Sequence, residues 1–355
     1  MKILTVVGAR PQFVKAAALS RAAKESGIRE KLLHTGQHFD ANMSAVFFEE
    51  MEIPKPDFTL GIGGLPQGAM TGRMIEEIEK VLLQERPDWV VVYGDTNSTL
   101  AGALAAVKLH LPLAHVEAGL RSFNKKMPEE INRLLTDHAS EILFTPTEGA
   151  AEQLIKEGIE QRKIHQVGDI MADAALYYRK RADEKSAILE TLQLTPKEYG
   201  LVTIHRQENT DAPEKLEAII RSLCEVAEQL PIVFPLHPRT KKALEKADLF
   251  GLANEKLKLI DPVGYFDMIR LEGGAKVILT DSGGVQKEAY LFSVPCVTLR
   301  DETEWRELVE NGFNRLSPPD CLEAFHAALD SEPNWSLSLY GGGDAASRIL
   351  SVLQN

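Results

Sequence analysis

A chain of 355 residues, 44% hydrophobic and 26% charged, is long enough for two cores of ordinary size and carries no low-complexity tail. Its formal net charge of -12 argues against a nucleic-acid binder, because neutralising a phosphate backbone takes clustered Lys and Arg, so a phosphate partner must be small and locally held. Cys224, Cys296 and Cys321 lack metal-ligand spacing and read as reduced, buried thiols without structural zinc. The apolar run after Met1 stops at Gly8, too soon for a signal segment or a membrane span. The expectation is a cytoplasmic protein with no membrane partner.

In chain order, short β-branched runs at Ile3 to Val7, Lys31 to Thr35, Trp89 to Tyr93, Pro112 to Val116 and Ile142 to Thr145 predict buried parallel strands. Between them, Phe13 to Lys24, Gly72 to Leu83 and Ser98 to Leu109 have helical periodicity. Asp173 to Leu194 reads as a charged connecting helix ending before Thr195-Pro196. The βαβα pattern then restarts, with strands at Leu201 to Ile204, Ile232 to Leu236, Leu257 to Ile260, Val277 to Thr280 and Cys296 to Leu299. The predicted fold class is α/β, with two Rossmann-like doubly wound domains facing an interdomain cleft. The expected domains are residues 1–168 and 169–343, with a last helix over 344–355 packing back on the first.

Ligands of open parallel sheets sit beyond the carboxyl ends of the strands, and the unusual residues of this chain cluster there. Gly8-Ala9-Arg10-Pro11-Gln12-Phe13-Val14-Lys15 opens a helix with Pro at its start and puts Arg10 and Lys15 near its N-terminus, which suits an anion such as a diphosphate. The turn lacks GxGxxG, so no dinucleotide fingerprint is present. Gly94-Asp95-Thr96 and His115-Val116-Glu117 end the next two strands, and Pro128-Glu129-Glu130 starts a helix. Glu129 alone is explained by complementing a helix dipole. Three acids converging on one crevice as Asp95, Glu117 and Glu129 are not, and crowded carboxylates shift one another's proton affinity into the range of acid–base work.

In the second half, His205 in His205-Arg206-Gln207-Glu208-Asn209 can donate to a phosphoryl oxygen, although a lone His at a strand end is by default a satisfied structural residue. Asp281-Ser282-Gly283-Gly284-Val285-Gln286-Lys287-Glu288 offers main-chain N–H groups to a phosphate and, one helical turn on, a carboxylate for a ribose diol.

These segments, in this order and spacing, together with Thr35-Gly36-Gln37-His38, Ala118-Gly119-Leu120-Arg121 and Asn132-Arg133, resemble the non-hydrolysing UDP-N-acetylglucosamine 2-epimerase family across essentially the whole chain. The resemblance implies a GT-B-like fold shared with glycosyltransferases and phosphorylases, a homodimer, a UDP-sugar substrate, and no metal or other cofactor. It also implies inversion at C2 by elimination of UDP to a 2-acetamidoglucal and re-addition. By position it makes Asp95, Glu117, Glu129 and His205 the catalytic candidates. Arg10, Lys15, Ser282, Gly283, Gly284 and Glu288 become substrate-binding candidates, with Val263 and Met268 at the uracil.

Departures from the commonest family pattern are a shorter segment between Arg121 and Pro128, Trp305 in place of an Arg, and Phe39-Asp40 after Gln37-His38. Phe39-Asp40, Arg121-Ser122-Phe123-Asn124 and Tyr340-Gly341-Gly342-Gly343 look like the branch acting on UDP-2,3-diacetamido-2,3-dideoxy-glucuronate. A glycosyltransferase of the same architecture and an idle nucleotide-sugar sensor are the competing readings, since a fold does not define a reaction.

Overall fold

The computed structural model describes residues 1–37, 54–317 and 319–355, so the Phe39-Asp40 expectation lies outside the described residues. The chain forms two compact units, Met1–Ala174 with Ser338–Asn355, and Ala175–Leu337. The division falls after Ala174, inside the helix Ile170–Lys185.

The sheet of the first unit is built from β1 (Lys2–Val7), β2 (Arg29–His34), β3 (Phe58–Thr59), β4 (Trp89–Tyr93), β5 (Leu113–Val116), β6 (Ile142–Thr145) and β7 (Ile164–Gln166). Its order is β3-β2-β1-β4-β5-β6-β7, parallel throughout. Val90, Val91 and Val92 are all fully buried, as β-branched residues are when helices cover both faces of a parallel sheet. Pro11 pre-sets the start of the helix Arg10–Glu25. The Thr96 and Thr147 side chains cap the helices Asn97–Lys108 and Glu148–Lys156, each contributing about 1 kcal/mol. Asp173 accepts hydrogen bonds from the N–H groups of Ala345 and Ala346 and so caps the last helix, Ala345–Gln354, which packs on Arg10–Glu25.

The second unit has β8 (Gly200–Thr203), β9 (Ile232–Pro235), β10 (Lys258–Ile260), β11 (Val277–Thr280), β12 (Cys296–Thr298) and β13 (Asn314–Leu316). They run parallel in the order β10-β9-β8-β11-β12-β13. Its core joins Val202, Ile204, Phe234, Leu279 and Val297 to Ile219, Leu223 and Phe325. In both sheets the strand order reverses beside the first strand, between β1 and β4 and between β8 and β11. Loops leaving a sheet at such a reversal splay apart and open a crevice at the carboxyl ends.

Candidate active site

In the first unit the crevice is tied together by one buried amide. Gln12 Oε1 accepts from the N–H of Gly8 at 2.8 Å and of Ala9 at 3.1 Å, while its Nε2 donates to the Tyr93 carbonyl and to Thr96 and Thr99 hydroxyls at 2.8–2.9 Å. The turn after β1 is thereby fixed to the turn after β4. From the helix so positioned, the buried Lys15 side chain reaches Glu117 and forms an ion pair with its carboxylate. A buried ammonium needs such a counter-charge.

Glu117 stands at the end of β5 with φ +71°, and Gly94 at the end of β4 with φ +62°. Both turns pass through the left-handed region. Asp95 accepts from Arg133 Nη1 at 2.8 Å, and its backbone carbonyl accepts from Asn132 Nδ2 at 2.9 Å. Its side chain keeps 35% of its surface open, yet desolvation by the surrounding protein is the largest influence and raises the carboxyl above its ordinary value. Glu117 and Glu129 add to that rise, and Arg133 and Lys15 oppose it. Glu129, in the first turn of the helix Pro128–Ala139, is exposed. The structure thus brings Asp95, Glu117, Glu129 and Lys15 into one electrostatic cluster, at the helix opened by Arg10.

Sequence reasoning passed over the neighbour of Glu129. Glu130 is buried and accepts from the N–H groups of Ser122 and Phe123, both at 2.9 Å, and from Arg133 Nε at 3.1 Å. Against the burial that alone would raise it, those N–H groups and Arg133 hold the Glu130 carboxyl below its ordinary range. It anchors the short loop after Arg121 to the helix that carries Glu129. A Pro-Glu-Glu helix start offers no means in sequence of telling which Glu turns inward.

In the second unit His205 leaves β8, and Asp281 and Ser282 leave β11 beside it. Asp281 is fully buried and accepts from the backbone N–H of His205 at 3.0 Å and of Arg206 at 2.9 Å. It also accepts from Asn209 Nδ2 at 3.1 Å and lies 3.3 Å from His205 Nδ1. Burial opposes ionisation, but the His205 ring and the two N–H groups outweigh it and hold the Asp281 carboxyl low. The His205 side chain is 45% exposed, anchored at Nδ1. Ser282 occupies the N-cap position of the helix Gly283–Leu291 without a side-chain capping hydrogen bond, and the first helical residues are Gly283 and Gly284.

On that helix Glu288 is buried and accepts from the Tyr265 hydroxyl at 3.3 Å. Val263 and Met268, half-buried, bracket the start of the helix Tyr265–Gly274 just beyond β10. Arg300 bridges Glu208 and Glu304 at 3.1 and 3.0 Å. Trp305 is 5% exposed, with Lys287 Nζ 4.1 Å above its ring. Among the described residues, no group of three or more His, Cys, Asp or Glu is placed to hold a metal ion, and no helix is long and apolar enough to cross a membrane.

Parallel sheets with acids and an ammonium at one strand-order reversal and a Ser-Gly-Gly helix start at the other define a GT-B-like enzyme of two Rossmann-type units. The family model described as UDP-N-acetylglucosamine 2-epimerase matches residues 20–354. A Pseudomonas aeruginosa protein named UDP-2,3-diacetamido-2,3-dideoxy-D-glucuronate 2-epimerase is 52% identical over 360 residues, 99% of each chain. A Methanococcus maripaludis protein named UDP-N-acetylglucosamine 2-epimerase homolog is also 52% identical, over the full length of both chains. The crystal structure of Methanocaldococcus jannaschii UDP-GlcNAc 2-epimerase in complex with UDP-GlcNAc and UDP superposes with a TM-score of 0.90 at 46% identity, covering 100% of this chain and 99% of that one. The chain belongs to the UDP-N-acetylglucosamine 2-epimerase family, and is an isomerase.

Proposed function

We propose that the protein inverts C2 of a UDP-2-acetamido sugar without hydrolysing it, and that its substrate is UDP-2,3-diacetamido-2,3-dideoxy-D-glucuronate. The observation that carries this reading is the 52% identity, over 99% of both chains, with the Pseudomonas protein of that name, in a chain that gathers Asp95, Glu117, Glu129 and Lys15 into one cluster. In the proposed reaction a carboxylate takes the C2 proton as the C1–O bond to UDP breaks, leaving a C1=C2 double bond. A second carboxyl then returns a proton to C2 from the opposite face, and UDP adds back to C1. Asp95, whose carboxyl is raised mainly by burial, and Glu117, paired with the Lys15 ammonium, are the carboxylates offered for these two proton transfers.

In the same reading His205 and the N–H groups of Ser282, Gly283 and Gly284 hold the diphosphate, and Arg10 and Lys15 stabilise the charge on it as it leaves. Glu288 takes the ribose hydroxyls, while Val263 and Met268 lie against the uracil. The protein works as a cytoplasmic homodimer and uses no metal or nicotinamide. The exposed Lys125 and Lys126, beside the helix that bears Glu129, supply positive charge for a C6 carboxylate.

A second reading, UDP-N-acetylglucosamine as substrate, is favoured by the equal identity to the Methanococcus homolog of that name. Proton NMR of both nucleotide sugars with enzyme in heavy water tests the reaction and the choice together. Turnover is expected to exchange the C2 hydrogen for deuterium, with kcat/KM higher for the acidic sugar. Glu117→Gln and Asp95→Asn are each expected to lower kcat by at least about 100-fold. An epimer that keeps its C2 hydrogen refutes the mechanism, and a higher kcat/KM for UDP-N-acetylglucosamine refutes the acidic-sugar assignment alone.

A further inference from the structure

His115 lies in β5 with none of its surface exposed, yet both ring nitrogens face polar atoms. Nδ1 is 2.6 Å from Asp137 Oδ1, and Nε2 is 2.8 Å from the backbone carbonyl of Gly94. The ring thus joins the Asp137 carboxylate to the Gly94 carbonyl. Gly94 is therefore held on both sides by β5, because its N–H also donates to the Val116 carbonyl at 2.9 Å. Asp95 is the next residue.

On the other side, Asp137 Oδ2 accepts from the Gly119 N–H at 3.2 Å and pairs with Arg121 Nη1 at 2.7 Å. Arg121 in turn forks onto Glu157 through Nε at 2.9 Å and Nη2 at 2.7 Å. Gly119, two residues past Glu117, has φ +84°, so the chain bearing Glu117 makes two left-handed steps that end on this carboxylate. Among the described residues, the imidazole thus meets Asp137 and the Gly94 carbonyl, with Arg121 and Glu157 continuing the chain beyond Asp137.

The plainer view is a core histidine that has found partners. A buried ionic pair is a poor source of stability compared with an apolar pair of the same shape. The backbone groups it holds, moreover, are those next to Asp95 and just beyond Glu117. We propose that His115, backed by Asp137, is a positioning residue for the epimerisation reaction, clamping the two acid-bearing turns in register so that both carboxylates meet one C2 centre. The kinetic part of this inference rests on the proposed C2 chemistry. The clamp itself does not.

The test uses the full-length chain with two substitutions that each keep half of the ring's hydrogen bonding. The amide of His115→Asn overlays Nδ1 and keeps the Asp137 bond while releasing Gly94, and that of His115→Gln overlays Nε2 and does the reverse. Kcat is expected to fall about 100-fold in His115→Asn and about 10-fold in His115→Gln, as misplacement by up to an ångström does. KM and the dissociation constant for UDP, set mainly in the second unit, are expected to stay within about 3-fold of wild type. Amide hydrogen exchange should quicken in the peptide around Gly94 in the Asn variant and around Gly119 in the Gln variant.

Unchanged kcat per folded molecule in both variants overturns the proposal, and so does a rise in KM with kcat intact. Should wild type itself show no C2 exchange, the functional reading fails and amide exchange alone decides the clamp. Faster exchange at the two turns supports it, and unchanged exchange overturns it. If His115→Asn does not fold, His115→Gln carries the same readouts.

Discussion

Replacing Gly94 with Ala changes one methyl group at the point where β4 hands over to Asp95. Two costs can be worked from the structure. A residue with a Cβ at φ +62° costs roughly 1–2 kcal/mol in the left-handed region. The new methyl would also stand 3.1 Å from Glu117 Oε2 and 3.4 Å from Lys15 Nζ. That is too close to a carboxylate oxygen by a few tenths of an ångström, so the Glu117–Lys15 pair must yield by about that much. For a unit of this size, a loss of 1–2 kcal/mol lowers the melting temperature by roughly 3–6 °C. Displacing a reacting carboxylate by a fraction of an ångström lowers kcat by about 10-fold, taking an ångström as about 100-fold. C2 deuterium incorporation reads kcat, and circular dichroism reads the melt. Gly72→Ala is the control: Gly72 is exposed in the helix Gln67–Glu85 with nothing within 4 Å of its added methyl, so it should gain about 0.5–1 kcal/mol and leave kcat unchanged. Wild-type kcat in Gly94→Ala, or the same loss in the control, refutes the reasoning.

Two further outcomes are expected. Gly284→Ala has room in the free protein, its nearest neighbour being Ser282 Oγ at 3.9 Å, so its melting temperature should hold while UDP affinity falls about 10-fold in calorimetry; undiminished affinity removes that helix start from the diphosphate site. The Asp281 carboxyl is held below its unfolded value, so its contribution to stability is full above about pH 4 and fades as the pH falls through its folded pKa. Urea unfolding followed by fluorescence of Trp305 and Trp335 should therefore lose stability below about pH 4, with a shallower loss in Asp281→Asn; equal slopes refute the assignment.

All the interior strands were legible in the sequence, and of the edge strands β10 was as well. Trp89–Tyr93, Ile142–Thr145 and Val277–Thr280 lie where the apolar runs predict them, because a strand covered on both faces must be apolar throughout. The strands missed are β3, β7 and β13, all at sheet edges and two or three residues long. Residues such as His165 or Arg315 are tolerated there because one side of the strand meets no neighbour. The same asymmetry governs the site. Asp95, Glu117 and Glu129 stand out because acids at strand ends and helix starts are chemically unusual. His115, Asp137, Glu130, Gln12 and Asp281 are equally polar, but their work is done through backbone N–H and C=O groups of other segments, 8 to 81 residues away in the contacts from Glu130 to Ser122 and from Gln12 to Tyr93. No one-dimensional pattern records which distant peptide a side chain will hold. A motif such as His-Val-Glu-Ala-Gly-Leu-Arg therefore mixes two kinds of residue. Glu117 pairs with Lys15 across to another helix, whereas His115 and Arg121 bond to the segments beside it, and only the fold separates them.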